Sequence, residues 1–258
     1  MITSTSNSQV KNLVQLRKKA KERRKQQIYV VEGIRMFTEA PADQIEKIYV
    51  SASFAADRDH NGLLQGKKAE ILADSVFDYV SDTKTPQGIL CLMRMVNHDP
   101  DELFRPENGI WLVLENLQDP GNLGTMFRTG EGAGITGIVM DAFTADIYNP
   151  KTIRSTMGSI YRVPFLVTEN LPETLHRMKS GNIRIFAAHL EGSVCYDEPD
   201  YRAGTAFLIG NEGNGLTEET ASLADMNIRI PMKGQVESLN AAMAAGLLMY
   251  EADRQRRR

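Results

Sequence analysis

The chain is poor in the residues that would signal a disulfide framework or a metal centre. Of its 258 residues only two are cysteines, Cys91 and Cys195, far apart and outside any CxxC pattern. That usage predicts reduced core thiols in a cytosolic protein. The four histidines, His60, His98, His176 and His189, share no ligand spacing with one another or with the cysteines, so no metal is expected. Long apolar runs are also missing: none approaches the roughly 18 residues of a membrane span. The stretch 1–8 is polar, with no apolar segment leading into small residues, so no secretory leader and no membrane association are expected. Excess charge is scarce too, with a net of −3, which argues against nucleic-acid binding spread over the whole surface.

What is present points elsewhere. Apolar residues make up 42% and charged residues 24% of the chain, enough for one large core or two modest ones. The charge is also unevenly placed. Residues 1–36 hold nine basic side chains, among them Lys11, Arg17, Lys18 and Arg23, against Glu22 and Glu32, so this segment carries +7 and the remainder −10. Clustered positive charge attracts phosphate whatever the total, although a solvated helix face would look the same. Arg254, Arg256, Arg257 and Arg258 form a smaller cluster, expected to fray.

Periodicity divides the chain. Val10 to Lys25 reads as a helix with Leu13, Leu16 and Ala20 on one side, followed by strands near 28–31, 45–50 and 88–93 and helices from about Glu32 and over 74–80. This predicts a small α/β domain over 1–97. The stretch 98–109 contains Pro100 and Pro106 without periodicity and reads as a linker. From 110 to 258 strands and helices alternate: strands at 110–114, 136–140, 163–167, 183–187, 206–209 and 227–230, helices at 122–132, 151–157, 172–179, 217–224 and 238–252. The continuous apolar run Ile110–Leu114 is typical of a buried parallel strand, and the alternation predicts an α/β domain with a parallel sheet.

Gly132 to Gly137 spells GxGxxG, but it leaves a helix and enters a strand, the reverse of a dinucleotide fingerprint. It reads as a helix stop and a tight turn. Three other segments carry more chemistry. Asp119-Pro120-Gly121-Asn122 leads from the first strand of the second half into a helix bearing Thr125 and Arg128, at the sheet edge where α/β proteins hold ligands. Gly210-Asn211-Glu212-Gly213-Asn214-Gly215 follows a buried strand, with Thr217 as a helix N-cap. Ile230-Pro231-Met232 leads through a glycine-containing loop to Ser238-Leu239-Asn240, where a small-residue helix begins with Ser238 as its cap. Each alone could be a turn with incidental polar residues.

Together the three segments, with Tyr148-Asn149-Pro150-Lys151 and Arg154-Ser155-Thr156-Met157-Gly158, closely resemble the signature motifs of the SpoU/TrmH branch of the SPOUT methyltransferases over about 109–251. The amino-terminal stretch, with Asn7, Lys11, the basic helix and Glu32-Gly33, resembles the ribosomal-protein-like substrate-binding domain of some members. The resemblance implies a sheet with a deep carboxy-terminal trefoil knot, a homodimer formed through it, and S-adenosylmethionine as methyl donor to a ribose 2′-hydroxyl of structured RNA. It assigns Arg128 the activating role, with Asn122, Glu212, Ser238 and Asn240 around it. It further implies cofactor contacts from Gly210, Ile230 and Leu239, apolar walls from Leu208 and Met232, and RNA phosphate contacts from Lys151, Arg154 and Arg162.

A guanidinium stays protonated in proteins, so Arg128 stabilises a developing alkoxide or clamps a phosphate more readily than it takes a proton. Glu212 or a phosphate-linked water then remains to accept it. Ribosomal RNA of the 23S type is favoured by the appended domain. The alternatives are a tRNA methyltransferase, a base methyltransferase on the same fold, and a non-catalytic RNA-binding or ribosome-assembly protein.

Overall fold

The computed structural model describes residues 1–60, 62–189 and 194–257; Arg258 of the terminal cluster lies outside them. In chain order the elements begin with α1 (Ser8–Lys18), α2 (Ala20–Gln26), β1 (Ile28–Glu32), α3 (Ile34–Glu39), β2 (Ile45–Ser51) and α4 (Ala52–Ala56). They continue with β3 (Ala69–Leu72), α5 (Asp74–Val80), β4 (Ile89–Arg94), α6 (Pro100–Leu103), β5 (Ile110–Leu114), α7 (Pro120–Gly132), β6 (Gly137–Asp141) and α8 (Pro150–Thr156). The last are β7 (Phe165–Thr168), α9 (Leu171–Ser180), β8 (Arg184–Ala188), β9 (Val194–Cys195), β10 (Thr205–Ile209), α10 (Glu218–Ser222), β11 (Met226–Arg229) and α11 (Ala241–Arg256).

The chain forms two compact units, 1–96 with 146–161, and 97–145 with 162–258. The segment 146–161, whose sequence continues the alternation of the second half, thus packs with the amino-terminal residues.

The first unit is built on a four-stranded sheet ordered β1-β4-β2-β3, antiparallel except for the parallel β2–β3 pair. Val10, Leu13 and Leu16 of α1 are buried against Leu72, Phe77 and Leu90, each such side chain contributing about 1.5–3 kcal/mol on removal from water. The single helix expected over 10–25 is two, because Lys19 is extended (φ −123°, ψ 113°). The break turns Arg23 inward. Its side chain is 3% exposed, donates from Nη1 to the carbonyls of Leu16 (2.6 Å) and Arg17 (3.0 Å), and pairs through Nη2 with the Asp146 carboxylate. Arg23 therefore holds the fold together and does not face RNA, a correction to its reading as a phosphate contact. Arg17 donates to the Val80 carbonyl (2.9 Å), and Asp82 accepts from Arg154 (2.7 Å). Lys11 and Lys18 stay exposed. Strand β3 and helix α4 escaped the sequence reading, being short and without clear periodicity.

The second unit contains a seven-stranded sheet ordered β7-β6-β5-β10-β8-β11-β9. Every pairing in it is parallel. All five residues of β5, β6 and β10 are buried, which explains their unbroken apolar runs: a central parallel strand has both faces covered. Trp111, Val113, Leu175, Ile185 and Leu208 lie in one core cluster. The expected linker contains the short α6, and the Leu103 carbonyl at its end accepts from the Trp111 indole at 3.0 Å. After α7, Gly134 adopts φ +69°, the left-handed turn expected of the GxGxxG stretch. The terminal arginines are not all frayed: Arg256 donates to the carbonyls of Tyr201 (2.9 Å), Ala203 (2.6 Å) and Gly109 (3.1 Å).

Both cysteines are free; burial pushes the Cys91 thiol up to about 12. No described helix is long and apolar enough to cross a membrane.

Candidate active site

The strand order reverses direction between β5 and β10: the chain steps outward from β5 to β6 and β7, then returns on the far side with β8 before β10 fills the gap. Loops leaving the carboxyl ends of strands diverge at such a point and leave a crevice. Here the loop after β5 carries Gln118 and Asp119, and the loop after β10 carries Asn211 and Glu212. The two are stitched together by side chains.

Glu212 sits at the N-terminus of α7. Its carboxylate accepts from the backbone N–H of Gln118 and of Asp119 and from Nδ2 of Asn122, each at 3.0 Å. Partial burial works to raise its pKa, but these donors outweigh burial and hold the carboxyl below its usual value. The network continues. Asn122 Oδ1 accepts from Asn240 Nδ2 at 2.9 Å, and Asn240 Oδ1 accepts from the N–H of Ala242 (2.9 Å) and Met243 (3.3 Å). Both amide orientations follow from the ends of this chain. A carboxylate can only accept, and helix N–H groups can only donate, so each asparagine is fixed in one sense. The three loops named from the sequence thus meet in one polar relay, Glu212–Asn122–Asn240. Asn240, not Ser238, caps α11; Ser238 lies two residues earlier in the exposed loop.

A second carboxylate, missed in the sequence, braces the same loop from behind. Glu115, 8% exposed, accepts from the Thr217 N–H (2.8 Å), the Thr217 hydroxyl (2.7 Å) and the Thr220 hydroxyl. An acidic residue directly after five buried apolar ones was the available signal. Asn211 closes the turn by accepting from Gly213 and Asn214 N–H and donating to the Asn116 carbonyl at 2.9 Å. Asn116 itself adopts φ +53°, a strained conformation for a residue with a side chain, held by Asp141, whose carboxylate accepts its N–H at 3.0 Å.

Beside this relay lies a cavity of about 480 Å³, within the range of small-molecule sites. Gly210, Ile230, Met232, Ser238 and Leu239 line it, as do Glu212 and Ile209. Leu208 does not: it is fully buried in the core cluster, because successive strand residues face opposite sides and Ile209 takes the cavity side. The apolar wall assigned to Leu208 belongs to its neighbour. Gly210 is required by the protein's own backbone, since a Cβ there would lie 2.2 Å from the Gly215 carbonyl carbon and 2.3 Å from Leu216 N.

Arg128 is exposed on α7, about one position short of a second full turn beyond Asn122 and about 9 Å along the axis. It has no hydrogen bond or ion pair within the protein among the described residues. Lys151 and Arg154 lie on α8, in the first unit. Among the described residues no group of three or more His, Cys, Asp or Glu side chains could hold a metal ion.

A model of the SpoU rRNA methylase family matches residues 109–250, more than half of the chain. The chain belongs to this family. A second model, of an MRM3-like substrate binding domain, matches residues 7–91. The 23S rRNA (guanosine(2553)-2'-O)-methyltransferase RlmP of Bacillus subtilis (strain 168) is 34% identical, with 96% of this chain and 97% of the relative covered. The 23S rRNA (uridine(2479)-2'-O)-methyltransferase of Streptomyces viridochromogenes is 29% identical over 75% of this chain and 70% of its own length. Among solved structures, an AdoMet-bound rRNA methyltransferase from Sinorhizobium meliloti superposes with a TM-score of 0.85 at 28% identity, covering 98% of this chain and 97% of that one. The SpoU fold of the second unit, an α/β parallel sheet, agrees with the sequence expectation.

Proposed function

We propose that this SpoU family member transfers a methyl group to a ribose 2′-hydroxyl of ribosomal RNA of the 23S type. The observation that carries the reading is the convergence of the three motif loops on one relay beside one cavity. The Bacillus subtilis relative, which spans nearly the whole chain, bears a 23S rRNA name, as does the Streptomyces viridochromogenes relative over 75% of it, which favours ribosomal over transfer RNA. Their targets differ, guanosine in one and uridine in the other, so the acceptor base is a property of each member.

The cavity suits S-adenosylmethionine. Its size is adequate, Ile209, Ile230, Met232 and Leu239 offer apolar surface, and Gly210 with its neighbours offers main-chain polar groups. Bound there, the cofactor supplies an electrophilic methyl group on a sulfonium. The chain's own residues do the rest. Arg128, charged and unpaired, stabilises negative charge developing on the 2′ oxygen or clamps the adjacent phosphate. Glu212, ionised and saturated with donors, acts as a brace for Asn122 and the α7 N-terminus; proton removal falls to solvent or to a phosphate-linked water. Asn122 and Asn240 keep the loops in register, and Ser238 faces the cavity.

We assign 1–97 to RNA binding, 98–109 to a linker and 110–258 to methyl transfer, with the 146–161 segment contributing to the RNA-binding unit. Lys11 and Lys18 supply phosphate contacts there, supported by their exposure; Lys151 on α8 adds another, and Arg17 and Arg154 help through a shared acidic partner, Asp82. A trefoil knot in the carboxy-terminal region is supported by the insertion of β10 between β5 and β8. A homodimer through α11 is supported by Met243, Leu247 and Tyr250, exposed apolar side chains at helical spacing. We place the protein in the cytoplasm with its RNA.

The test uses 23S rRNA from a strain lacking the gene, purified protein and S-adenosylmethionine labelled in its methyl group. Label should enter the RNA and survive alkaline digestion in a dinucleotide, because a methylated 2′ oxygen cannot attack the neighbouring phosphate. Label recovered on a base, or in tRNA alone, overturns the reading.

A further inference from the structure

The turn after β6 presents an aromatic ring to solvent where the fold gives it no reason to be. Phe143 is 77% exposed, the highest value among the large apolar side chains described. Exposure of this kind is often a sign of a loose loop, but this turn is held from four sides. Asp141 Oδ1 accepts from the Thr144 N–H (2.8 Å) and hydroxyl (2.7 Å). The Thr144 hydroxyl accepts from Leu117 N–H at 3.2 Å, and Ala145 N–H donates to the Leu117 carbonyl at 2.7 Å. The Phe143 carbonyl itself accepts from Gln118 Nε2 at 2.9 Å. Gln118 is the residue whose backbone N–H is bound by Glu212, a wall of the cavity. One residue therefore joins the ring's backbone to the site.

We propose that Phe143 is a stacking platform for a nucleobase of the RNA substrate, next to the ribose that the site methylates. The proposal rests on the function proposed above and adds a substrate contact to it. Recognition of RNA at unpaired positions relies on bases splayed onto aromatic rings, which every base can join through its π-face. A rigid turn presents such a ring without an ordering cost at binding. The ring's turn neighbours, Asp141, Ala142 and Thr144, are polar or small. A protein partner would call for a contiguous apolar patch; a single ring among polar groups suits a base.

The experiment compares the full-length protein with Phe143→Ala, Phe143→Leu and Phe143→Trp, using 23S rRNA from a strain lacking the gene. All four proteins should share one melting temperature and one affinity for S-adenosylmethionine, because the ring is exposed and lies outside the cavity. Loss of one stacked base corresponds to about a five- to hundredfold effect. The alanine and leucine variants should therefore raise KM for the RNA, or lower kcat/KM, within that range, and tryptophan should restore wild-type values. Leucine is the discriminating variant, as it keeps apolar area and lacks a π-face. A leucine variant equal to wild type overturns the proposal, as does an alanine variant with unchanged RNA kinetics. Dissociation of an oligomer by Phe143→Ala in sedimentation also overturns it, the ring then belonging to an interface between copies. Wild-type protein that fails to methylate the RNA refutes the underlying function instead, and this proposal with it.

Discussion

Arg23 and Arg128 read alike in the sequence: a basic residue on a helix, beside a region suspected of touching RNA. The structure separates them completely. Arg23 is buried, its guanidinium shared among two carbonyls and the Asp146 carboxylate. Arg128 stands exposed on α7 with no partner within the protein among the described residues. A buried charge persists when it is paired and hydrogen-bonded, as Arg23 is through Nη1 and Nη2, so this side chain is committed to stability. An exposed, unmatched guanidinium adds little to folding and stays available to a ligand. Among the carboxylates, Glu115 and Glu212 stand with Arg23: each accepts three hydrogen bonds and holds loops in place.

The largest expected effect comes from removing the committed arginine. Arg23→Ala leaves Asp146 without its partner and should destabilise the first unit by about 3 kcal/mol, the scale for breaking a buried pair, read as a lowered urea midpoint. RNA affinity measured well below that midpoint should change little. A variant of undiminished stability with weakened RNA binding would reverse the comparison.

Arg128→Ala should do the opposite. Methyl transfer under single-turnover conditions should fall at least about a hundredfold, as when a charge-stabilising group is lost from a site, with melting temperature and S-adenosylmethionine affinity unchanged. Arg128→Lys sharpens this: rescue indicates simple charge stabilisation, and no rescue indicates bidentate positioning by the planar fork. Near-normal transfer by Arg128→Ala would place the catalytic centre elsewhere.

The smallest effect concerns Glu212. Its pKa is held below the ordinary carboxylate value, so the folded state favours the ionised form. The stability it contributes is fully present above about pH 4–5, where the unfolded carboxyl is also ionised, and is lost as pH falls through the folded value. Glu212→Gln should cost about 0.5–1 kcal/mol at pH 7, kept small by solvent on the exposed side. The difference from wild type should shrink as pH falls below the ordinary carboxylate range and the folded carboxyl takes up its proton. Because Glu212 stays ionised throughout, the substitution should lower methyl transfer without altering the shape of its profile between pH 6 and 9. Loss of an acidic limb from that profile would show Glu212 to be the proton acceptor.

Much of the second unit was legible from residue order alone. The runs Ile110–Leu114 and Ala206–Ile209 fixed buried parallel strands, because both faces of a central strand must be apolar. Asn122, Glu212 and Asn240 stood out through glycine-rich surroundings and helix-start positions. Leu208 was misread because a fully apolar strand carries no mark of which face meets a cavity, and Ser238 because serine and asparagine cap equally well. Less of the first unit could be seen: β3 and α4 are four and five residues long, too short to establish a period.

The sequence by itself determined the class of fold, the family and the loops that carry the site, since apolar period, glycine placement and motif spacing are properties of residue order. Only the tertiary structure decided which charges are spent and which are free. It turned Arg23 inward to meet Asp146, 123 positions away, closed the relay from Glu212 to Asn122 across 90 positions, and left Arg128 and Phe143 in solvent. A charge or ring acquires its role from the partners that packing brings to it, and those partners are distant in the chain.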